Sequence, residues 1–181
     1  MIHALKNLLK KFRQSECGAT TIEFMFAMPL VMFWVGGSVT FFNAYSEYTN
    51  ALKATYTVAD ILSRQTTVDD AYIDNMNQLF ANFMNESTND VWLRVSSIEK
   101  TGDNLAIDWS TATGIHDALE TSSDIPEEII PDLLDEEKII LIESHFSFVP
   151  FLDWVGIETS TYANRIVVSP RFTSQLANSD S

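Results

Sequence analysis

From Phe24 to Ser46 the chain carries no charged side chain, and about 20 such residues suffice to cross a bilayer as a helix. Glu23 stands at the mouth of this run. A carboxylate at membrane depth costs roughly 2.5–3.5 kcal/mol on insertion scales and usually has a partner or a function. The natural partner is a positive group.

Upstream, Met1 to Gly18 holds Lys6, Lys10, Lys11 and Arg13 against the single acid Glu16, so the positive-inside rule keeps this end in the cytoplasm. A secretory signal has its small-residue cleavage site after a short apolar region and is removed whole. Here the order is reversed: Gly18 and Ala19 come before the apolar run. Cleavage between them would remove the basic leader and leave the membrane helix on the mature chain, with Ala19 as the new amino terminus.

The stretch Cys17-Gly18-Ala19-Thr20-Thr21-Ile22-Glu23-Phe24 resembles the prepilin-peptidase site of the TadE/TadG-like pseudopilins of tight-adherence (Tad, type IVc) pili. The likeness includes the Gly before the cut and the Glu at mature position five, and extends to Pro29 and to Val58-Ala59-Asp60-Ile61-Leu62-Ser63-Arg64, so it covers about residues 10 to 64. Within it only the Gly is required before the cut, and Cys17 carries no weight. The resemblance implies a prepilin peptidase, other pilins or pseudopilins and an inner-membrane pilus assembly platform as partners. It also implies that Glu23 of one subunit meets the Ala19 amine of a neighbour as a register device.

The chemistry of these residues can be stated on its own terms. Gly18 has no Cβ, so the backbone at the scissile bond can extend into a narrow protease site. The freed α-amino group of Ala19 would be cationic near neutral pH, with a reference pKa of about 7.7–8.0, and one helical turn separates it from Glu23. Polar groups among apolar helices are best attested as register devices. The plainer use of Glu23 is a carboxylate at the interface, facing the positive helix N-terminus.

The formal net charge is −14, and loss of the leader's four bases and one acid makes it −17. Such a chain repels nucleic acid. The acidity serves the solubility of an exported domain, with a basic subunit or divalent cations as the alternative use. Cys17 is the only cysteine and would leave with the leader, so the mature chain has neither thiol nor disulfide. A lipid-modified cysteine follows an apolar region; Cys17 precedes it.

Beyond the run, Tyr45, Tyr48, Leu52, Tyr56, Ala59 and Leu62 recur at spacings of three and four, predicting one helix from about Thr20 to Arg64. Pro29 can kink it, Gly36-Gly37 permits close approach of another helix or local unwinding, and Phe41, Phe42 and Tyr45 suit the far interface. A second helix is predicted over Val68–Met84, its apolar face comprising Tyr72, Ile73, Met76, Leu79, Phe80, Phe83 and Met84. Asn85-Glu86-Ser87, formally a glycosylation acceptor, reads as a loop. Val91–Glu99 and Leu105–Trp109, joined by Thr101-Gly102-Asp103-Asn104, read as a β-hairpin. Lys138–Val149 and Arg165–Ser169 read as strands, Ile125–Asp135 as a short acidic helix started by Pro126, and Thr173–Ser181 as a mobile tail.

The expected fold is α+β: a long N-terminal helix, half membrane-spanning and half periplasmic, packed on a small antiparallel sheet with one or two extra helices. The expected divisions are a cleaved leader 1–18, a transmembrane helix 19–42, a periplasmic domain 43–172 and a tail 173–181. No catalytic residue, cofactor or metal is expected. His3 leaves with the leader, His116 and His145 lack a Cys or His at ligand spacing, and Glu127-Glu128 and Asp135-Glu136-Glu137 lack the pattern of a calcium loop. The chain reads as a minor pseudopilin of the inner membrane, needed to initiate, cap or regulate a Tad/Flp-type pilus and hence for surface adherence, with membrane lipid around its helix. The alternative is an uncleaved bitopic binding or scaffold module anchored in the same membrane.

Overall fold

The computed structural model describes residues 17–102, 104–152, 156 and 158–180. The leader's Lys6, Lys10, Lys11, Arg13, Glu16 and His3 therefore lie outside the described residues, as does Asp103 of the hairpin turn. The architecture is α+β. Helix α1 (Cys17–Ser63) is followed by β1 (Thr67–Val68), α2 (Asp70–Met84), β2 (Val91–Thr101), β3 (Asn104–Ala112), two 3₁₀ turns (Ser122–Asp124 and Glu127–Ile129), β4 (Lys138–Phe148), β5 (Ser160–Val168) and β6 (Ala177–Asn178). Four strands form an antiparallel sheet in the order β3-β2-β4-β5, while β1 and β6 pair in parallel. The chain divides into two compact units, one of Met1–Asn43 with Pro150–Ile157 and one of Ala44–Val149 with Glu158–Ser181.

In the first unit α1 runs through Pro29. Its apolar side chains stand exposed along the run: Ile22, Phe24, Met25, Phe26, Leu30, Trp34, Phe41 and Phe42 are all more than half accessible. The helix is long and apolar enough to cross a membrane. The polar hydroxyls in this stretch are satisfied internally, Ser38 donating to the Trp34 carbonyl at 2.9 Å and Thr40 to that of Gly36 at 3.0 Å. Such back-bonding removes the penalty of an unpaired hydroxyl in hydrocarbon.

In the second unit, the buried stripe of α1 consists of Ala51, Ala54, Thr55, Val58, Ala59 and Leu62. The tyrosines of the expected stripe lie beside it, Tyr45 at 64% and Tyr56 at 57% exposure. Small side chains let the helix approach the sheet closely, and the rings fit only at its margins. Thr55 Oγ1 meets Ser144 Oγ of β4 at 2.6 Å, and the Tyr48 ring meets Tyr162 of β5 edge-on at 6.0 Å.

Sheet register sorts the side chains. Val91, Leu93 and Val95 stand opposite Phe146, Ser144 and Ile142 on the face that receives α1, while Trp92, Arg94, Ser96 and Ile98 stand opposite His145, Glu143, Leu141 and Ile139 on the other. Half of that second face is apolar. Ile98, Ile139 and Leu141 are sealed there by Leu119, Ile125 and Leu133 of the β3–β4 connection.

Four sequence expectations shift. Helix α2 starts at Asp70, because Val68 is engaged with β6 and the Asp69 carboxylate accepts from Tyr72 N at 2.7 Å as the N-cap. The acidic helix over Ile125–Asp135 is replaced by the two 3₁₀ turns, since Pro126 and Pro131 drive Ile125 and Ile130 into extended backbone. Strand β5 begins at Ser160, five residues early: its first half is an exposed edge with no apolar alternation to reveal it. The expected tail is instead tied down, with Leu176 fully buried, its carbonyl accepting from Trp109 Nε1 at 2.7 Å, and Ser179 N donating to Val68 O at 2.9 Å. Trp109→Phe strands the buried Leu176 carbonyl; the expected loss is about 1–3 kcal/mol, read by urea unfolding beside the wild type.

Candidate functional site

Gly18 and Ala19 fall in the first turn of α1, and Glu23 lies on the same helix, exposed. Positions four apart are neighbours on a helix surface, so the backbone places Ala19 and Glu23 on one face, directly before the uncharged run. The three sequence-predicted residues are brought together by helical spacing alone.

A second constellation was not singled out by the sequence. It occupies the polar half of the outer sheet face. Glu143 in β4 stands between Arg94 in β2 and Arg165 in β5, each its direct cross-strand neighbour. Its carboxylate is 1% exposed; Oε2 accepts from Arg94 Nε at 2.6 Å and Oε1 from Arg165 Nε at 2.8 Å. A lone buried carboxylate would be costly, and the two guanidinium groups pair with it. Arg94 reaches on to the Asp117 carbonyl at 3.3 Å, fixing the loop after β3.

One register step along, three rings stack. Trp92 lies against His145 at 3.7 Å and 3° on one side and His116 at 4.1 Å and 14° on the other, with the Arg94 guanidinium 5.7 Å from the indole centroid. Burial pushes the His145 imidazole down to about 4; Glu143 opposes this, and Arg94, Arg165 and His116 reinforce it. His145 Nε2 has no hydrogen-bond partner. His116 and His145, expected as isolated structural histidines, are brought into one stack by Trp92. Among the described residues no three His, Cys, Asp or Glu side chains converge as a metal site.

The signal for this cluster was an acid inside an apolar strand: Ile139-Ile140-Leu141-Ile142-Glu143. Nothing local names its partners, which come from strands 49 and 22 residues away.

Glu143→Gln keeps the shape and removes the charge, leaving the part-buried Arg94 and the exposed Arg165 without their carboxylate. The expected loss is about 3 kcal/mol, measured by chemical unfolding. His145 gives a pH signature. Between 6.5, its ordinary value, and about 4, the unfolded chain binds a proton that the folded chain does not. The stability gained by keeping it neutral is complete above 6.5 and is lost as the pH falls toward 4. His145→Phe, which preserves the stack, is expected to flatten the fall of melting temperature across that window. No family model, no curated protein and no solved structure matches the chain, and both sites are read from their own residues.

Proposed function

We propose that the chain is a minor pseudopilin of a Tad/Flp-type pilus. It is held in the bacterial inner membrane by α1, processed by a prepilin peptidase between Gly18 and Ala19 on the cytoplasmic side, and carries its acidic α+β unit in the periplasm. One observation carries this reading. Gly18, Ala19 and Glu23 lie on a single unbroken helix, one turn apart, immediately before exposed apolar side chains that reach Phe42.

Mechanistically, cleavage creates a cation at Ala19 beside the anion at Glu23. Within one chain the two can neutralise each other across a turn. Between chains the same pair sets the axial register of neighbouring helices. Leaving lipid for a helical assembly costs little, because apolar helix contacts replace apolar lipid contacts and association is carried by packing and hydrogen bonds. Gly36 and Gly37 would let a neighbouring backbone approach closely there. The helix is both anchor and assembly surface, and the chain acts by assembling, with other pilins or pseudopilins and the inner-membrane platform, in initiating, capping or regulating the pilus that supports adherence.

Processing is tested by intact-mass measurement on membrane-extracted protein from a host with the peptidase. The expected species begins at Ala19 and disappears in Gly18→Arg. A wild-type chain still carrying Met1 to Gly18 would overturn the assignment in favour of an uncut membrane anchor bearing a binding or scaffold unit. Register is tested by Glu23→Ala, which is expected to be cleaved normally and to impair piliation; normal piliation would remove Glu23 from assembly.

A further inference from the structure

The connection from β4 to β5 differs in composition from the acidic chain around it. Between Val149 and Ile157 the only charged residue is Asp153, in a chain of net charge −14. Apolar runs of this kind usually lie in a core, yet Val149 is 69% and Phe151 77% exposed. One exposed apolar side chain needs no explanation. Here it is the setting that calls for one.

By its packing, the connection goes with the membrane-length segment. Pro150–Ile157 and Met1–Asn43 form one compact unit, while the strands that the connection joins belong to the other. Within this unit α1 is covered on one face only. Thr40 is fully buried and Gly36 and Gly37 are partly buried, whereas Trp34, Phe41 and Phe42 stay exposed. Small residues at 36, 37 and 40 leave room for a second segment to lie close to the helix.

The depth of this packing follows from helix geometry. About 20 residues cross the hydrocarbon, so a span that begins at Phe24, the start of the uncharged run, reaches the far boundary close to Asn43. Gly36 to Thr40 lie within two turns of that boundary. The backbone of residues 149–152 is neither helix nor strand, and irregular backbone is excluded from lipid-exposed positions in the hydrocarbon. The boundary itself accepts it, and aromatic rings concentrate there.

We propose that the β4–β5 connection is a second membrane contact, resting on the reading of α1 as a bilayer span, with Pro150, Phe151 and Leu152 seated in the headgroup–acyl boundary at the level of Phe41 and Phe42. Lipid is the occupant because the loop extends an apolar surface that α1 already presents from Ile22 to Phe42. Apolar side chains at this depth bind by the area they withdraw from water. The chain thus meets the bilayer at two points far apart in sequence, and departure of α1 from lipid requires Phe151 to withdraw as well.

The test places a nitroxide at single cysteines in full-length protein carrying Cys17→Ser, reconstituted at one copy per phosphatidylcholine nanodisc. Collisions with oxygen, which enriches in lipid, are compared with collisions with a water-soluble nickel chelate. Phe151→Cys reports the loop, Leu30→Cys reports α1, and Ile115→Cys, at a 96% exposed position of the other unit, reports water. The label at 151 is expected to favour oxygen over nickel severalfold more than the label at 115, and to lie shallower than the label at 30. A label at 30 in lipid with a label at 151 that behaves like the one at 115 would overturn the loop contact and leave the α1 anchor standing. A label at 151 shielded from both reagents would place the loop against protein and overturn the contact equally. A label at 30 open to nickel would remove the anchor and the loop contact together.

Discussion

A backbone surrounded by hydrocarbon must satisfy every N–H and C=O within itself, and α1, long and apolar enough to cross a membrane, is a form that can meet this requirement. With no charged side chain from Phe24 to Ser46, a helix is the form that meets it with one segment. Ser38 and Thr40 obey the same rule at side-chain level by returning their hydroxyls to Trp34 and Gly36. Pro29 removes one amide donor, yet α1 continues to Ser63. Glu23, exposed just before the run, is not explained by that requirement; under the proposed processing its partner is the Ala19 amine.

The second unit meets a different constraint on the same helix. A sheet of four strands needs one face covered, and α1 with its alanines, a threonine and short aliphatics and α2 with Ile73, Phe80 and Ala81 supply buried side chains for it. Burial of Leu62, Val58 and the facing Ile140 and Ile142 supplies the driving force, at roughly 25 cal/mol per Å² of apolar surface. The outer sheet face is divided. Its apolar half is sealed by Leu119, Ile125 and Leu133, whereas its polar half holds Glu143 between two arginines beside the Trp92 stack. Replacing such an ion pair by apolar residues is often neutral or favourable. Its presence next to an aromatic stack is a cost that a purely structural sheet would not need.

How far the sequence foretold this follows from the range of each interaction. Helix α1 was legible because a charge-free run and a spacing of three and four are local patterns. The hairpin of β2 and β3 was legible for the same reason, its turn residues marking the reversal. Strand β5 was half-legible: Ile166, Val167 and Val168 form a β-branched run that marks a strand, whereas Ser160 to Asn164 carry no such run and are ordered by β4 beside them. The ordered C-terminus was not legible. Leu176 is a single apolar residue among polar ones, and its burial depends on Trp109, 67 residues away. Gly18, Ala19 and Glu23 were chosen from their order along the chain, and the structure adds that they share one helix. The Glu143 cluster depends on three strands arriving in register, which no local pattern encodes.

Buried polar side chains divide into two kinds here. Thr55, Ser144 and Ser96 are paired, Thr55 with Ser144 and Ser96 with Ser110 at 2.8 Å, so their burial is compensated and adds specificity to the packing. Asn77 Oδ1, Ser97 Oγ, His145 Nε2 and Asn164 Nδ2 lack that compensation. They are spread over α2, β2, β4 and β5, so each cost is set by its own packing environment, and an apolar side chain at any of them would avoid the penalty of an unpaired buried group.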